Sequence, residues 1–97
     1  MSNAYVIADV RVTDPEQYKG YMALTPAAVA AAGGEFIVRG GRSETLEGHW
    51  APTRMVVIRF PSYDAAKAFY DSALYLQARH ARAGATEFFN MIVVEGV

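Results

Sequence analysis

Segments with the pattern of strands and helices follow one another in the order β-α-β-β-α-β, and this order most limits how the chain can fold. Residues 5–12 alternate between small or β-branched apolar side chains and a mixed set, which is typical of a strand with one buried face. Residues 35–39, 53–60 and 86–95 are predicted as further strands. The order predicts an α+β fold with a four-stranded antiparallel sheet and the helices on one face.

Capping residues and glycines mark the ends of the first helix. Asp14 can accept hydrogen bonds from free N–H groups, and Pro15 suits the first helical position. The helix is predicted to end at about Ala32, before Gly33-Gly34, because glycine adopts the left-handed cap at least cost. Pro26 lies inside it and is expected to kink or break it.

The second helical segment is predicted to divide in two. Ser62 caps its first part, and Ser72 caps a further stretch from Ala73 to about Ala83, since a serine hydroxyl accepts from the first helical turn. The stretch between the second and third strands, 42–52, is predicted to be a long hairpin connection that is partly paired through residues 45–47.

Length and composition predict one domain in the cytoplasm. The chain has 97 residues, of which 53% are hydrophobic and 20% charged, as expected of a globular protein. Residues 1–4 resemble the remnant of a cleaved expression tag, so the domain is predicted to span residues 5–97. The sequence has no signal-peptide pattern and no apolar run of about 20 residues, so neither secretion nor a membrane span is expected.

Charge and cysteine content exclude several classes of function. Nine basic residues against ten acidic ones give a net charge of −1, so neither nucleic acid nor a membrane surface is an expected partner. The chain has no cysteine, which excludes disulfides, thiolate metal sites and cysteine nucleophiles. His49 and His80 have no second ligand at a suitable spacing, so no metal and no cofactor is expected.

The two faces of the predicted sheet differ, and this difference predicts a homodimer. One face is apolar and takes the helices; it consists of Val6, Ala8, Val10, Phe36, Val38, Val56, Ile58 and Phe60. The other face consists of Tyr5, Ile7, Asp9, Ile37, Arg39, Met55, Val57 and Arg59. This second face is too apolar for open solvent and too charged for a dry core. We therefore predict that a second copy covers it, with Asp9, Arg39 and Arg59 lining an interior crevice.

Several short motifs follow in order along the chain. They are Gly33-Gly34-Glu35-Phe36-Ile37-Val38-Arg39-Gly40-Gly41, Leu46-Glu47-Gly48, Arg54-Met55-Val56-Val57-Ile58, Phe60-Pro61-Ser62, then Ala66, Tyr70, Ser72, Tyr75 and Ile92-Val93-Val94-Glu95-Gly96. In this combination they resemble domain-of-unknown-function family 1330 (DUF1330) of the dimeric α+β barrel superfamily. The resemblance implies a ferredoxin-like protomer that pairs through its sheet, and it assigns no reaction. Cofactor-free oxygenase- or isomerase-like activity is implied only by analogy with other members of the superfamily.

Six residues are candidates for binding a ligand, and none is assigned a catalytic role. They are Asp9, Arg39, Arg59, Tyr5, Tyr70 and Ser72. Asp9 and Arg59, on neighbouring strands, either hold a small molecule or form an ion pair at the dimer seam. Arg39 either binds an anion or only precedes a turn. Tyr70 and Ser72 either face a pocket, or pack in the core and cap a helix.

Two functions are compatible with these patterns. The first is a homodimer that binds or transforms a small organic anion in a crevice between sheet and helices; any chemistry would be cofactor-free proton transfer or oxygenation. The second is a noncatalytic dimeric module, in which the polar crevice is only a wet interface. A molecule retained in the crevice would distinguish the two.

Overall fold

A computed structural model describes residues 2–97 and confirms the predicted α+β architecture. The elements are β1 (Ala4–Val12), α1 (Pro15–Ala31), β2 (Glu35–Arg39), β3 (Met55–Phe60), α2 (Tyr63–Asp71), α3 (Ala73–Ala81) and β4 (Thr86–Glu95). The strands form one antiparallel sheet in the order β2-β3-β1-β4. The helices cover one face, here called the helix face, and the other is called the open face.

The folded unit begins before residue 5. Ala4 is the first residue of β1, where it pairs with Phe60 and Glu95 and is fully buried. Its small side chain therefore belongs to the core, and the predicted boundary falls inside the strand. Met1 lies outside the described residues, and the origin of residues 1–4 in an expression tag stays a prediction.

The core lies between the helix face and the three helices. Val6, Val10 and Phe60 contribute buried side chains from the sheet. Phe69 of α2 and Tyr75 of α3 pack against them, with ring centroids 4.4 Å apart. These aromatic side chains hold α2 and α3 on the sheet, because each removes a large apolar surface from water.

A β-bulge in β2 changes the face on which Arg39 lies. The pairing of β2 with β3 contains an extra residue, Ile37, between Phe36 and Val38. Because side chains alternate along a strand, the extra residue moves Val38 to the open face and Arg39 to the helix face. The predicted faces of these two residues were therefore wrong.

Helix α1 continues through Pro26, so the predicted break near Thr25 is wrong. Proline has no N–H, and the carbonyl of Met22 loses its usual helical donor. Two side chains replace that donor: Arg39 Nη2 donates to Met22 O at 3.1 Å, and Thr25 Oγ1 donates to it at 3.4 Å. Arg39 of β2 thus supplies a hydrogen bond that the proline removes from α1.

The end of α1 has the glycine cap that the sequence predicts. Gly33 has a φ of 77°, and its N–H donates to Ala30 O at 3.0 Å. The N–H of Gly34 donates to Val29 O at 2.9 Å, which completes a Schellman motif. The chain turns here directly into β2.

The connection between β2 and β3 is irregular throughout. No strand pairing forms at residues 45–47, so that part of the prediction is wrong. β3 begins at Met55 rather than Thr53, and α3 ends at Ala81 rather than Ala83. The long segment from Gly40 to Arg54 is largely exposed to solvent.

Candidate functional site

A groove opens between α2, the end of α3 and strand β4. Its volume is about 280 Å³. That is close to the lower end of the range for small-molecule sites, about 300–1,000 Å³. The groove is lined by Val6, Ala66, Lys67, Tyr70, Arg82, Phe89, Met91, Ile92 and Val93.

The groove follows from the position of β4 at the edge of the sheet. β4 pairs only with β1, so its helix-face side chains, among them Phe89, Met91 and Val93, are only partly covered. α2 presents the small side chain of Ala66 to this edge, which leaves the space open. Tyr70, one turn further along α2, forms a wall of the groove.

Two arginines near the groove are held in place by aromatic rings. The guanidinium of Arg82 lies 3.7 Å from the ring centroid of Phe89 and 5.3 Å from that of Tyr21. Arg79 lies 4.3 Å from the ring centroid of Tyr70 and donates to its hydroxyl at 2.8 Å. Stacking on a ring fixes a guanidinium without neutralising it. The Nε atoms of both arginines are buried and have no hydrogen-bond partner in the described residues.

The charge around the groove is positive and uncompensated. Within residues 2–97, the ion pairs are Arg11–Glu87, Lys19–Glu16 and Arg59–Glu35. Lys67, Arg79 and Arg82 take part in none of them. The groove therefore combines an apolar floor with two cations that form no ion pair, Lys67 and Arg82, and Arg79 lies beside Tyr70 of its wall. This arrangement complements an organic anion.

A second cavity lies behind the wall formed by Val6, Phe89 and Met91. Its volume is about 20 Å³, which is room for a single water molecule. Arg39 and Arg54 lie among its lining residues on the side of α1. This inner space is too small for an organic ligand, so the groove is the candidate site.

Two buried tyrosines contact side chains that line the groove: Tyr21 packs on Phe89 and Tyr75 packs on Tyr70. The hydroxyls of Tyr21 and Tyr75 lie 2.8 Å apart and share a hydrogen bond. Burial raises the pKa of Tyr21, and also that of Tyr18, above the ordinary value of 10.0. Both phenols therefore stay protonated at neutral pH. The groove's lining includes no histidine and no carboxylate.

Of the six predicted site residues, Tyr70 alone lines the groove. Ser72 instead joins two helices: its hydroxyl donates to Phe69 O at 2.7 Å and accepts from Tyr75 N at 3.2 Å. It closes α2 and opens α3, as the capping alternative predicts.

Replacing Ser72 with alanine is expected to lower the free energy of unfolding by about 1 kcal/mol, because a cap is lost. Urea denaturation monitored by circular dichroism measures the change. Ser43→Ala, in the exposed loop, is the matched control and should leave stability unchanged. Equal stability of the two variants would contradict the capping role of Ser72.

Asp9 and Arg59 share the open face but do not form a pair. Asp9 lies opposite Met55, and Arg59 lies opposite Tyr5. The four-residue offset separates them by about 13 Å along the strands. Arg59 forms its ion pair with Glu35 of the neighbouring strand, so the predicted Asp9–Arg59 pair is wrong.

The remaining candidates also lie outside the groove. Tyr5 is on the open face, beside Arg59. Arg39 packs against α1, where it bonds to Met22 O and stacks over Phe36 at 4.4 Å. The predicted trio of Asp9, Arg39 and Arg59 is thus not brought together, because the bulge turns Arg39 away from the open face.

The charged residues that do reach the groove area were missed as site residues. Lys67, Arg79 and Arg82 lie on two helical segments, and their convergence depends on how α2 and α3 pack on β4. The spacing of Arg79 and Arg82, three residues apart on one predicted helix, was the available signal. Both side chains are half-buried.

Residues 2–97 contain neither a candidate metal site nor a helix that could span a membrane. That part of the chain contains no group of three potential metal ligands among histidine, aspartate and glutamate. None of its helices has the length and apolar character needed to span a bilayer.

The strand order β2-β3-β1-β4, with all helices on one face, defines a ferredoxin-like α+β protein. The chain belongs to the family described as Domain of unknown function (DUF1330), which it matches over residues 3–97. This confirms the resemblance found in the sequence motifs. No curated protein matches the chain.

Three solved structures with the same fold are described as proteins of unknown function. A protein of unknown function from Rhodopseudomonas palustris, RPA0582, is 18% identical with a TM-score of 0.79, over 99% of this chain and 83% of that one. A dimeric ferredoxin-like protein of unknown function from Thermobifida fusca YX is 17% identical with a TM-score of 0.65, over 99% and 92%. Another from Jannaschia sp. CCS1 is 13% identical with a TM-score of 0.70, over 96% of each chain. At these identities the similarity shows the fold alone.

Proposed function

We propose that this protein is a homodimer that binds a small organic anion in the groove between α2, α3 and β4. The observation that carries the proposal is the pair of cations in the groove's otherwise largely apolar lining, Lys67 and Arg82, which form no ion pair within residues 2–97. Arg82 lines the groove directly, and its buried Nε–H has no acceptor. Leaving a buried charged donor unpaired is costly, and a carboxylate in the groove would supply the missing acceptor.

The apolar side chains of the open face support the homodimer. They include Val57 of β3, Ile7 of β1 and Ile92 of β4, which lie side by side in register. Ile92 is 60% exposed in the single chain. A second copy would remove this surface from water. In a dimer with two-fold symmetry, the open faces of the two protomers would pack against each other. The related proteins from Thermobifida fusca YX and Jannaschia sp. CCS1 are described as dimeric.

The proposal is for binding without catalysis of proton transfer. A general base near neutral pH requires a histidine, a carboxylate or a perturbed lysine within reach of the substrate. Of these residue types, the groove's lining includes only Lys67, and that side chain is exposed to solvent, whereas lysines that act as bases are buried. Tyr70 is a phenol. This favours a carrier or sensor of a small acid over an isomerase.

Native mass spectrometry of freshly purified protein tests both parts at once. A dimer carrying an additional small mass, released under denaturing conditions, is the expected result. A dimer without bound mass that also fails to bind added carboxylates would support the noncatalytic structural module instead. A monomer at micromolar concentration would contradict the homodimer.

Replacing Arg82 with glutamine is expected to weaken the binding of an aromatic carboxylate about tenfold, because a charge-assisted hydrogen bond contributes about 1.5–3 kcal/mol. Benzoate is a suitable probe, with benzyl alcohol as its neutral match, and chemical-shift titration measures the affinity. Lys19→Gln is the control, since it removes the same charge from the exposed face of α1. Equal benzoate affinity in both variants, or no shift at groove residues in the wild type, would contradict the proposed site.

A further inference from the structure

The segment from Gly40 to Arg54, between β2 and β3, is here called the arm. It carries two large apolar side chains that its own protomer does not cover. Leu46 is 91% exposed and Trp50 is 63% exposed. Aromatic side chains are enriched in protein interfaces, and tryptophan is among the residue types that most often dominate binding energy. Covering an exposed leucine adds the free energy of removing its apolar surface from water.

The arm is tied to the open face of the sheet rather than to the helices. Asp9 of β1 accepts from the backbone N–H of Thr53 at 3.0 Å and of Arg54 at 3.4 Å. It also accepts from Trp50 Nε1 at 3.4 Å. Since Asp9 lies on the open face, the indole is held at the end of that face. Its polar N–H is satisfied there, while most of the ring stays in solvent.

The arm is also closed on itself, so its apolar side chains are held in position before any partner binds. Thr45 Oγ1 donates to Trp50 O at 2.7 Å. A side chain fixed in this way loses less conformational entropy on association than a freely rotating one.

The open face of the sheet and the arm form one continuous surface. The four strands have 9, 5, 6 and 10 residues. At about 3.3 Å per residue and about 4.8 Å between strands, the projected area of their face is about 480 Å². The arm meets this face at Asp9 and adds the exposed apolar side chains of Leu46 and Trp50 to it.

We infer that the arm of each protomer packs against a second copy of this chain, with Leu46 and Trp50 lying alongside the partner's open face. This inference rests on the homodimer proposed above. Under two-fold symmetry the arm of each protomer packs against the other protomer, so the same contact occurs twice in the dimer. Asp9 is then a positioning residue for the arm and has no contact with a ligand.

Sedimentation equilibrium over a dilution series tests the inference through the dimer dissociation constant. Trp50→Ala and Leu46→Ser are each expected to raise that constant at least about tenfold, because burying a large apolar side chain contributes about 1.5–3 kcal/mol. Leu76→Ser is the matched control: Leu76 is 43% exposed on α3, on the helix side, and its replacement should leave the constant unchanged. Leu46 has almost no contacts within its own protomer, so its variant reports on association even if the Trp50 variant folds poorly.

Tryptophan fluorescence gives a second, direct readout, because Trp50 is the single tryptophan of the chain. In the wild type its emission should shift to the red on dilution, with the same midpoint as dimer dissociation. Two results together would contradict the proposed arm contact and leave the homodimer unaffected. The emission of the wild-type dimer would stay unchanged on dilution, and Leu46→Ser and Leu76→Ser would have equal dimer dissociation constants. A wild-type monomer at all concentrations would overturn the homodimer and the arm together.

Discussion

Replacing Phe69 with alanine is expected to lower the free energy of unfolding by about 3–5 kcal/mol. Phe69 is 1% exposed and is the main anchor of α2. Its ring centroid lies 5.0 Å from that of Phe60 and 4.4 Å from that of Tyr75. The loss combines the transfer of a large apolar side chain with the cavity that it leaves behind. It is a large share of the total stability of about 5–15 kcal/mol that a domain has.

Urea denaturation at one fixed protein concentration, well above dimer dissociation, measures this effect. Leu76→Ala is the control, because Leu76 lies exposed on α3 and surface changes are usually within about 0.5 kcal/mol. The Phe69 variant should also bind benzoate more weakly, since α2 carries Tyr70 and Lys67 of the groove. A loss of stability below about 1 kcal/mol would mean that α2 is not packed through this ring.

The order and type of the elements could be predicted because each depends on local signals. The alternation in residues 5–12 predicts that one face of β1 is buried, and in the structure that face packs against the helices. Asp14 caps α1 as predicted, with its carboxylate accepting from Gln17 N at 3.1 Å. Gly33 ends the same helix. In each case a few neighbouring residues are sufficient to define the geometry.

The position of Arg39 could not be predicted, because it depends on pairing between strands. In a five-residue strand nothing local distinguishes regular alternation from a bulge at Ile37. A one-residue shift then exchanges the two faces for every later residue. The carbonyl of Met22, freed by Pro26, gives Arg39 an acceptor on the helix side, and that contact joins residues 17 positions apart in the sequence.

The groove was missed for a related reason. Arg82 acquires its position from Phe89 on β4 and from Tyr21 on α1, and these contacts form only when the helices dock on the sheet. Asp9 is a charged residue among apolar neighbours on the open face, and its partners are two backbone N–H groups and the indole of Trp50. A charged residue on an apolar face indicates that its side chain has a hydrogen-bond or ion-pair partner, but the sequence does not identify that partner.

Replacing Gly34 with valine is expected to lower the free energy of unfolding by about 3 kcal/mol, because it overpacks the core. A Cβ atom at this position would lie 2.6 Å from Cε1 and 2.8 Å from Cδ1 of Phe60. Real Cβ atoms do not approach other atoms so closely, and Phe60 is fully buried. Either the ring or the turn from α1 into β2 must therefore move. Gly41→Val is the matched control, since a Cβ there meets nothing within 4 Å.

A double-mutant cycle separates this clash from a general effect of removing glycine. Phe60→Leu shortens the side chain that opposes residue 34, so the variant with both changes should be more stable than the sum of the single losses implies. Thermal or urea denaturation of the four proteins measures the coupling, which is expected to be about 1 kcal/mol or more. Strict additivity would show that residue 34 does not contact Phe60, and that the turn after α1 approaches the core differently.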